Sequence, residues 1–270
     1  TVAWHENDGS QSFTDRIITT LADGGTSADV DGDGDVDALS ASAGDDTVAW
    51  YENDGSQSFT ERIISNSANG ARSVFAIDVD GDGDVDVLSG SREDDTVAWY
   101  DNFWSSFGFS SARTFTTSVL SSKADGVATV FAIDVDGDGD VDVLSASYTD
   151  DTVAWCENDG SLSFTRHVIT TLADNVKSVV AIDVDGDGDV DALSASYSDS
   201  SVAWYENDCA TLAPTAAPTT SLKPTMSFEP TTAAPTPRPT TFCTSVAFSE
   251  RTITTLADGA VSARTTGPSP

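Results

Sequence analysis

The 270 residues carry 45 Asp and Glu against 12 Lys and Arg, a formal charge of −33. That excess argues against nucleic acid and anionic membrane surfaces as partners, because both are held through basic footprints. No apolar run approaches the roughly 18 residues a membrane-spanning helix needs, so no direct membrane insertion is expected. Thr1 falls inside a repeat, without Met or a signal-like segment, so the chain reads as a fragment whose missing leader says nothing about secretion.

Taken in order, residues 1 to about 21 read as the last two strands of a repeat unit. Four further units follow at about 27–66, 73–120, 127–172 and 177–256. Their first Asp residues, Asp29, Asp78, Asp134 and Asp183, are separated by 49, 56 and 49 positions, and Trp50, Trp99, Trp155 and Trp204 each lie 21 residues further on. A period near 50 belongs to propeller blades rather than helical solenoids. Within one unit, Ser73–Asp78 is apolar and β-branched, Val85–Ser89 alternates, and Thr96–Tyr100 forms a third strand. A fourth is clearest at Phe59–Ile64, after Asn53-Asp54-Gly55, a strong hairpin signal. Pro is absent before position 214, as expected where ladder N–H groups are needed throughout. These features predict an all-β fold, a β-propeller of four-stranded antiparallel blades.

Two units depart from the pattern. The one beginning near Thr26 has Thr-Ser-Ala where its siblings have longer apolar runs, which predicts a short first strand. Asp101–Phe109 replaces the Asn-Asp-Gly turn with an aromatic-rich excursion, either a binding loop or packing against a neighbouring blade. After Asp208 the repeat breaks off. Seven of the nine Pro lie between Ala210 and Thr241 in a Thr- and Ala-rich stretch that cannot bury a core. Phe248–Gly259 then repeats the pattern of Phe164–Asn175. The expected organisation is therefore blades over 1–208, a Pro/Thr-rich insert or stalk over 209–243, and the delayed last strand with a truncated tail over 244–270. A new first strand is expected shortly before the end.

The chemistry of the chain is concentrated in one loop, Asp-Val-Asp-Gly-Asp-Gly-Asp-Val-Asp, spelled identically four times. The copies place Asp29, Asp31, Asp33, Asp35 and Asp37; Asp78, Asp80, Asp82, Asp84 and Asp86; Asp134, Asp136, Asp138, Asp140 and Asp142; and Asp183, Asp185, Asp187, Asp189 and Asp191 at odd positions. Five carboxylates in nine residues repel one another, and no basic residue lies within any copy. Calcium, which takes six to eight oxygen ligands, relieves that repulsion. Positions 1, 3, 5 and 9 would offer carboxylates and position 7 its carbonyl, giving about four calcium sites. A solvated acidic turn is the plainer reading, and fourfold recurrence in matching contexts argues against it. An EF-hand needs Glu at position 12 and flanking helices; Ser40, Ser89, Ser145 and Ser194 stand there instead.

With these loops, the following Leu-Ser-Ala-Ser or Leu-Ser-Gly-Ser, and Thr-Val-Ala-Trp-Tyr-Glu-Asn-Asp-Gly in hand, the chain resembles the FG-GAP/VCBS repeat family, the repeat of the integrin α-subunit propeller. The resemblance covers about 1–208 and 244–260. The combined pattern of Phe-Gly followed by Gly-Ala-Pro that names the family is absent, so integrin-like ligand specificity does not carry over. The resemblance implies a calcium-binding propeller on a secreted or cell-surface protein, mediating adhesion or contacts with protein or carbohydrate at a cell surface or matrix. The resemblance implies a propeller of seven blades, so the roughly four and a half here suggest missing sequence.

Outside the loops, little looks catalytic. His5 occupies a slot held elsewhere by Tyr51, Tyr100, Cys156 and Tyr205, and His167 aligns with Arg62. Cys156 is expected to be a buried free thiol. Cys209 and Cys243 bracket the Pro/Thr segment; they are a candidate disulfide pinning its base or two unpaired thiols. The expected function is a non-enzymatic, calcium-stabilised extracellular recognition or adhesion module. The alternative is the non-catalytic propeller of a secreted hydrolase or lyase whose catalytic domain lies elsewhere. Calcium loops and the Pro/Thr segment should share one face. The opposite face should be built from Ala43–Asp46, Arg92–Asp95, Tyr148–Asp151 and Tyr197–Ser200, suited to polar or cation-bridged ligands.

Overall fold

A computed structural model describes residues 1–7, 12–104, 113–208, 246–255 and 261–265. Among them there is no helix. The first sheet pairs β1 (Val2–Asn7) with β2 (Phe13–Thr19). Three sheets of four antiparallel strands in sequential order follow. They are β3 (Gly24–Ala28), β4 (Asp37–Ser42), β5 (Thr47–Asn53) and β6 (Phe59–Ser65); β7 (Ala71–Ile77), β8 (Asp86–Ser91), β9 (Thr96–Trp104) and β10 (Arg113–Ser121); and β11 (Val127–Ile133), β12 (Asp142–Ser147), β13 (Thr152–Asn158) and β14 (Phe164–Thr170). The last sheet joins β15 (Val176–Ile182), β16 (Asp191–Ser196), β17 (Ser201–Asn207), β18 (Phe248–Thr255) and β19 (Val261–Thr265).

The short first strand expected near Thr26 is the five-residue β3, against seven in β7, β11 and β15. One expectation fails. The strand near the end of the chain does not open a new sheet. β19 folds back antiparallel on β18 as a fifth strand, because an outermost strand leaves a row of N–H and C=O groups open to pairing. β17 and β18 pair from Asn207–Phe248 inward, and Asp208 N donates to Ala247 O at 3.0 Å. The Pro/Thr stretch, Cys209, Cys243 and residues 105–112 of the aromatic excursion lie outside the described residues.

The sheets are layers, and the core lies between them rather than inside any one. Val30, Leu39, Val48 and Trp50 of one sheet pack with Val74, Val87, Ala98 and Tyr100 of the next. Val79, Leu88 and Trp99 pack likewise against Val127, Val130 and Val143, and Leu144, Val153 and Trp155 against Val176, Val179 and Tyr205. Second strands are therefore covered on both faces. β4, β8 and β12 are buried at every position, serines included. Ser40, Ser89 and Ser194 satisfy their hydroxyls on Tyr51, Tyr100 and Tyr205, at 3.0–3.3 Å. The first strands lie side by side in the order β3, β7, β11, β15.

At one end the sheets are tied by their turns. Asp46, with φ 60°, accepts Ala68 N on its carbonyl and Gly70 N on its carboxylate; Arg92 N then donates to Gly70 O. Asp95 and Asp151 repeat the clasp on Gly126 and Asn175. The left-handed backbone explains Asp here, since it tolerates that region better than most residues. The face expected to present free aspartates to a ligand thus uses one carboxylate oxygen of Asp46, Asp95 and Asp151 internally.

Gly24 marks the closest approach between sheets: a Cβ there would sit 2.2 Å from Arg72 O. Backbone faces backbone, so neither side can give way. Gly24→Ala should destabilise the protein by about 1–3 kcal/mol, the usual cost of overpacking, in urea unfolding monitored by Trp fluorescence. An unchanged midpoint would mean that β3 and β7 are not in backbone contact.

Candidate metal centres

Each acidic loop connects a first strand to a second, and its shape follows from its own hydrogen bonds. The first carboxylate is a hub: Asp29 accepts Gly32 N on Oδ1 and Gly34 N on Oδ2, at 2.8 and 3.0 Å. Asp78, Asp134 and Asp183 do the same. Wrapping the backbone around one carboxylate forces φ to 73° at Gly32 and 97° at Gly34, which glycine adopts freely. The last carboxylate closes the loop. Asp37 takes Val30 N at 3.0 Å and Asn53 N, at the end of β5, at 2.8 Å. Asp86, Asp142 and Asp191 make the equivalent bonds to Val79 and Asn102, Val135 and Asn158, and Val184 and Asn207.

The structure gathers three carboxylates per loop, with ligand oxygens all within 4.8 Å of one another. In the first two loops these are Asp29, Asp31 and Asp33, and Asp78, Asp80 and Asp82; in the last two they are Asp134, Asp136 and Asp142, and Asp183, Asp185 and Asp191. Positions 1 and 3 therefore converge in every copy, while position 5 or 9 supplies the third group. Oxygens bound to one calcium at about 2.3–2.6 Å lie no more than about 5 Å apart, so each cluster fits a single ion of that size. Position 7 is aimed elsewhere. A Cβ on Gly55 or Gly160 would sit 2.5 Å from Asp35 or Asp140 Oδ2, so these side chains face the turn after the third strand. Asp84 pairs with Arg113, and Asp189 also has a partner. Any ligand from position 7 would thus be its carbonyl.

Burial and crowding push several of these carboxyls upward. Burial raises Asp86 to about 6 and Asp142 to about 7, against the N–H groups and, for Asp86, the Trp99 indole that favour the anion. Asp136 reaches about 6 through burial and then the charges of Asp138 and Asp134. Asp31, Asp37, Asp80 and Asp134 are also raised, burial leading in each. A bound cation would reverse this bias by favouring the ionised form.

Two contributors escaped the sequence reading. Asn53, Asn102, Asn158 and Asn207 brace the loops through their side chains as well: Asn102 Nδ2 donates to Val85 O at 2.8 Å and, across the sheet boundary, to Val30 O at 3.1 Å. Asn207 bridges Val190 O and Val135 O in the same way. The available signal was an Asn always 16 residues after the ninth Asp, kept at Asn102 even where Asn-Asp-Gly is lost. The second is Arg113, with a side chain only 7% exposed. Its Nη1 meets Asp84 Oδ1 at 2.6 Å and its Nη2 donates to Asp31 O, joining the first two loops through a fixed cation. Gln57 and Leu162 hold the aligned positions in neighbouring units, so nothing in the repeat announces it.

The histidines repeat a scaffold theme. Arg62 pairs with Glu52, Arg16 with Glu6 and Arg251 with Glu206 across the outer strand pairs; His167 Nε2 meets Glu157 at 2.6 Å and stacks on Trp155. His5 pairs with Asp15 at 2.8 Å. Cys156 is buried and free, its thiol pushed up to about 11 by burial.

Sheets of four strands stacked in sequence, each with an acidic loop at the same connection, define a repeat protein whose units share one scaffold and one set of candidate cation clusters. The model of the FG-GAP-like repeat matches at residues 29–89, 78–145 and 134–194, more than half of the sequence, and the chain belongs to this family. No curated protein matches it by sequence. Among solved structures, the biofilm matrix protein Bap1 of V. cholerae is similar at 19% identity and TM-score 0.46, over 74% of this chain and 28% of that one. An Agrocybe aegerita lectin specific for non-reducing terminal N-acetylglucosamine is similar at 14% identity and TM-score 0.41, over 76% and 71%. The chain thus spans little more than a quarter of the matrix protein's length.

Two measurements probe these centres. Asn102→Ala strands the buried Val30 O and the half-buried Val85 O, and should cost about 1–3 kcal/mol for the buried group left unpaired; an equilibrium unfolding curve matching wild type would remove Asn102 from the loop architecture. The pH dependence without divalent cations has a fixed sign. A carboxyl raised from 3.8 to about 7, as at Asp142, binds more protons folded than unfolded within that window, so stability falls as pH rises through it. The chelated protein should melt lower at pH 7.5 than at pH 5, and Asp142→Asn should flatten the difference. A melting temperature rising with pH would contradict the assignment.

Proposed function

We propose that the protein is a calcium-stabilised, non-enzymatic recognition or adhesion module that acts outside the cell, its sheets being blades of a β-propeller. One observation carries the reading: four loops each draw three carboxylates within 4.8 Å of one another, and in the third loop burial disfavours the charge on Asp134, Asp136 and Asp142. Such clusters suit a hard cation with oxygen ligands. Calcium is the ion of choice because a loop built on carboxylates and backbone carbonyls tolerates variable geometry, whereas magnesium demands a near-ideal octahedron. The face-to-face sheets, with first strands side by side and turns clasped in series, support the propeller geometry. In an extracellular setting such loops would bind calcium at about 0.1–1 mM, the range of extracellular modules. A binding rather than catalytic role is supported by the use of both histidines in outer-strand ion pairs and by a buried, unreactive thiol. A protein or carbohydrate ligand at a cell surface or matrix suits a repeat scaffold whose faces are built from turns.

A cation that binds only the folded state stabilises it by RT ln(1 + [L]/Kd), about 1.4 kcal/mol per site at tenfold excess. Four sites would contribute roughly 5–6 kcal/mol, comparable to the whole stability of a typical domain. Calcium titrated into chelated protein should report about four sites by calorimetry, and chelation should lower the melting temperature by well over ten degrees. Asp80→Asn with Asp82→Asn should remove one site and part of that stability. A flat titration together with an unchanged melt would reduce the loops to solvated acidic turns.

A further inference from the structure

Arg72 and Lys177 stand apart from most cations of this acidic chain. Arg16, Arg62, Arg92, Arg113 and Arg251 are each ion-paired, with Glu6, Glu52, Glu93, Asp84 and Glu206. Among the described residues, neither Arg72 nor Lys177 has a carboxylate partner. Both occupy the same special place. The pairing of β7 with β8 slips between Ala71 and Ser73, that of β11 with β12 between Val127 and Thr129, and that of β15 with β16 between Val176 and Ser178. Arg72, Ala128 and Lys177 are therefore the extra residues of three aligned bulges on three neighbouring first strands. Bulges re-aim side chains and recur beside binding sites. The middle bulge carries only a methyl group, itself buried.

The surroundings fix one cation. Lys177 Nζ lies 4.1 Å from the centroid of the Tyr148 ring, and Thr129 Oγ1 donates to Lys177 O at 2.8 Å. Arg72 O is packed on Gly24 of the adjoining sheet. Burial and then the nearby Arg72 charge lower the Lys177 pKa, with no carboxylate acting the other way.

We propose that Arg72 and Lys177, above the small Ala128 and beside Tyr148, form a binding site for one oxyanion group, a carboxylate or sulfate ester, of a sparsely charged glycan. Two cations held together without a counter-charge gain from an anion that pairs with both. The guanidinium offers a two-pronged donor and the ammonium a point charge. The formal charge of −33 repels densely charged polymers, nucleic acid included. A chain of mostly neutral, hydroxyl-rich sugars with an occasional acidic group avoids that repulsion and still delivers its anion. The proposal deepens the recognition reading above and rests on it only for the existence of a ligand.

The test is a chemical-shift titration of the calcium-saturated full chain with glucuronate, glucose 6-sulfate, glucose and N-acetylglycine. Saturable shifts of the Lys177 and Thr129 amides are expected with glucuronate, glucose 6-sulfate or both, which tells the two anion sources apart, and none with glucose. Arg72→Gln and Lys177→Gln should each weaken binding about tenfold or more, the scale of one hydrogen bond to a charged group. Lys123→Gln, a change at another cation without an ion pair, should leave it intact, and rising salt should weaken it. No saturable shift, an equal response to glucose, or indifference to both substitutions overturns the site. Saturation by N-acetylglycine alone overturns the glycan assignment. A protein that keeps its calcium-dependent melt while failing this titration loses the site without losing the recognition reading.

Discussion

A carboxylate sealed between sheets, with two backbone N–H groups on it, holds each acidic loop to the hairpin beside it. Asp37, Asp86, Asp142 and Asp191 are at most 1% exposed, and each takes one N–H from its own loop and one from the end of the third strand. Removing such a group would strand both donors in a dry interface, where an unmade hydrogen bond costs more than a made one contributes. This fixture sets where the loop ends and where the second strand begins. The acidic cluster lies on the loop this clamp closes, and a cation bound there would relieve the repulsion among its carboxylates.

The same economy governs the contacts between sheets. No sheet has a core of its own; each of the three four-stranded sheets supplies one wall of two interfaces, so its second strand is buried on both faces. The valine at loop position 2 (Val30, Val79 or Val135) is buried in the contact with the next sheet, and in two boundaries its carbonyl receives the next unit's asparagine. Loop geometry and sheet stacking are therefore coupled. At the opposite end, the Asp46, Asp95 and Asp151 clasps repeat the principle, with a carboxylate satisfying the N–H groups of a turn in the next unit.

Departures from the repeat come as compensated exchanges. Tyr51 donates to Glu61. In the unit where tyrosine gives way to Cys156, the glutamate gives way to Arg166, whose charge acts on Asp150 and the thiol. His167 replaces an arginine yet keeps both the glutamate pairing and the stacking on tryptophan that Arg251 shows on Trp204. Arg113 stands where other units have Gln57 or Leu162, and supplies internally a positive charge that its neighbours lack. Arg72 and Lys177 belong to none of these exchanges, which sets them apart from the scaffold.

The sequence by itself determined the unit. Alternating apolar residues, Asp-Gly turns and a period near 50 mark the strands, because side-chain periodicity and turn chemistry are local properties. It also located the acidic loops, since like charge at every second residue is visible without knowing the backbone path. Only the tertiary structure decided which carboxylates converge. Positions 1 and 3 meet in every loop, but the third member is Asp33 or Asp82 in the first two loops and Asp142 or Asp191 in the last two, a choice that identical loop sequences cannot encode. The bracing by Asn102 and Asn207, the bridge from Arg113 and the return of β19 onto β18 join residues separated by a whole unit or compete for an open sheet edge. Such pairings arise from packing between sheets, and no local pattern encodes them.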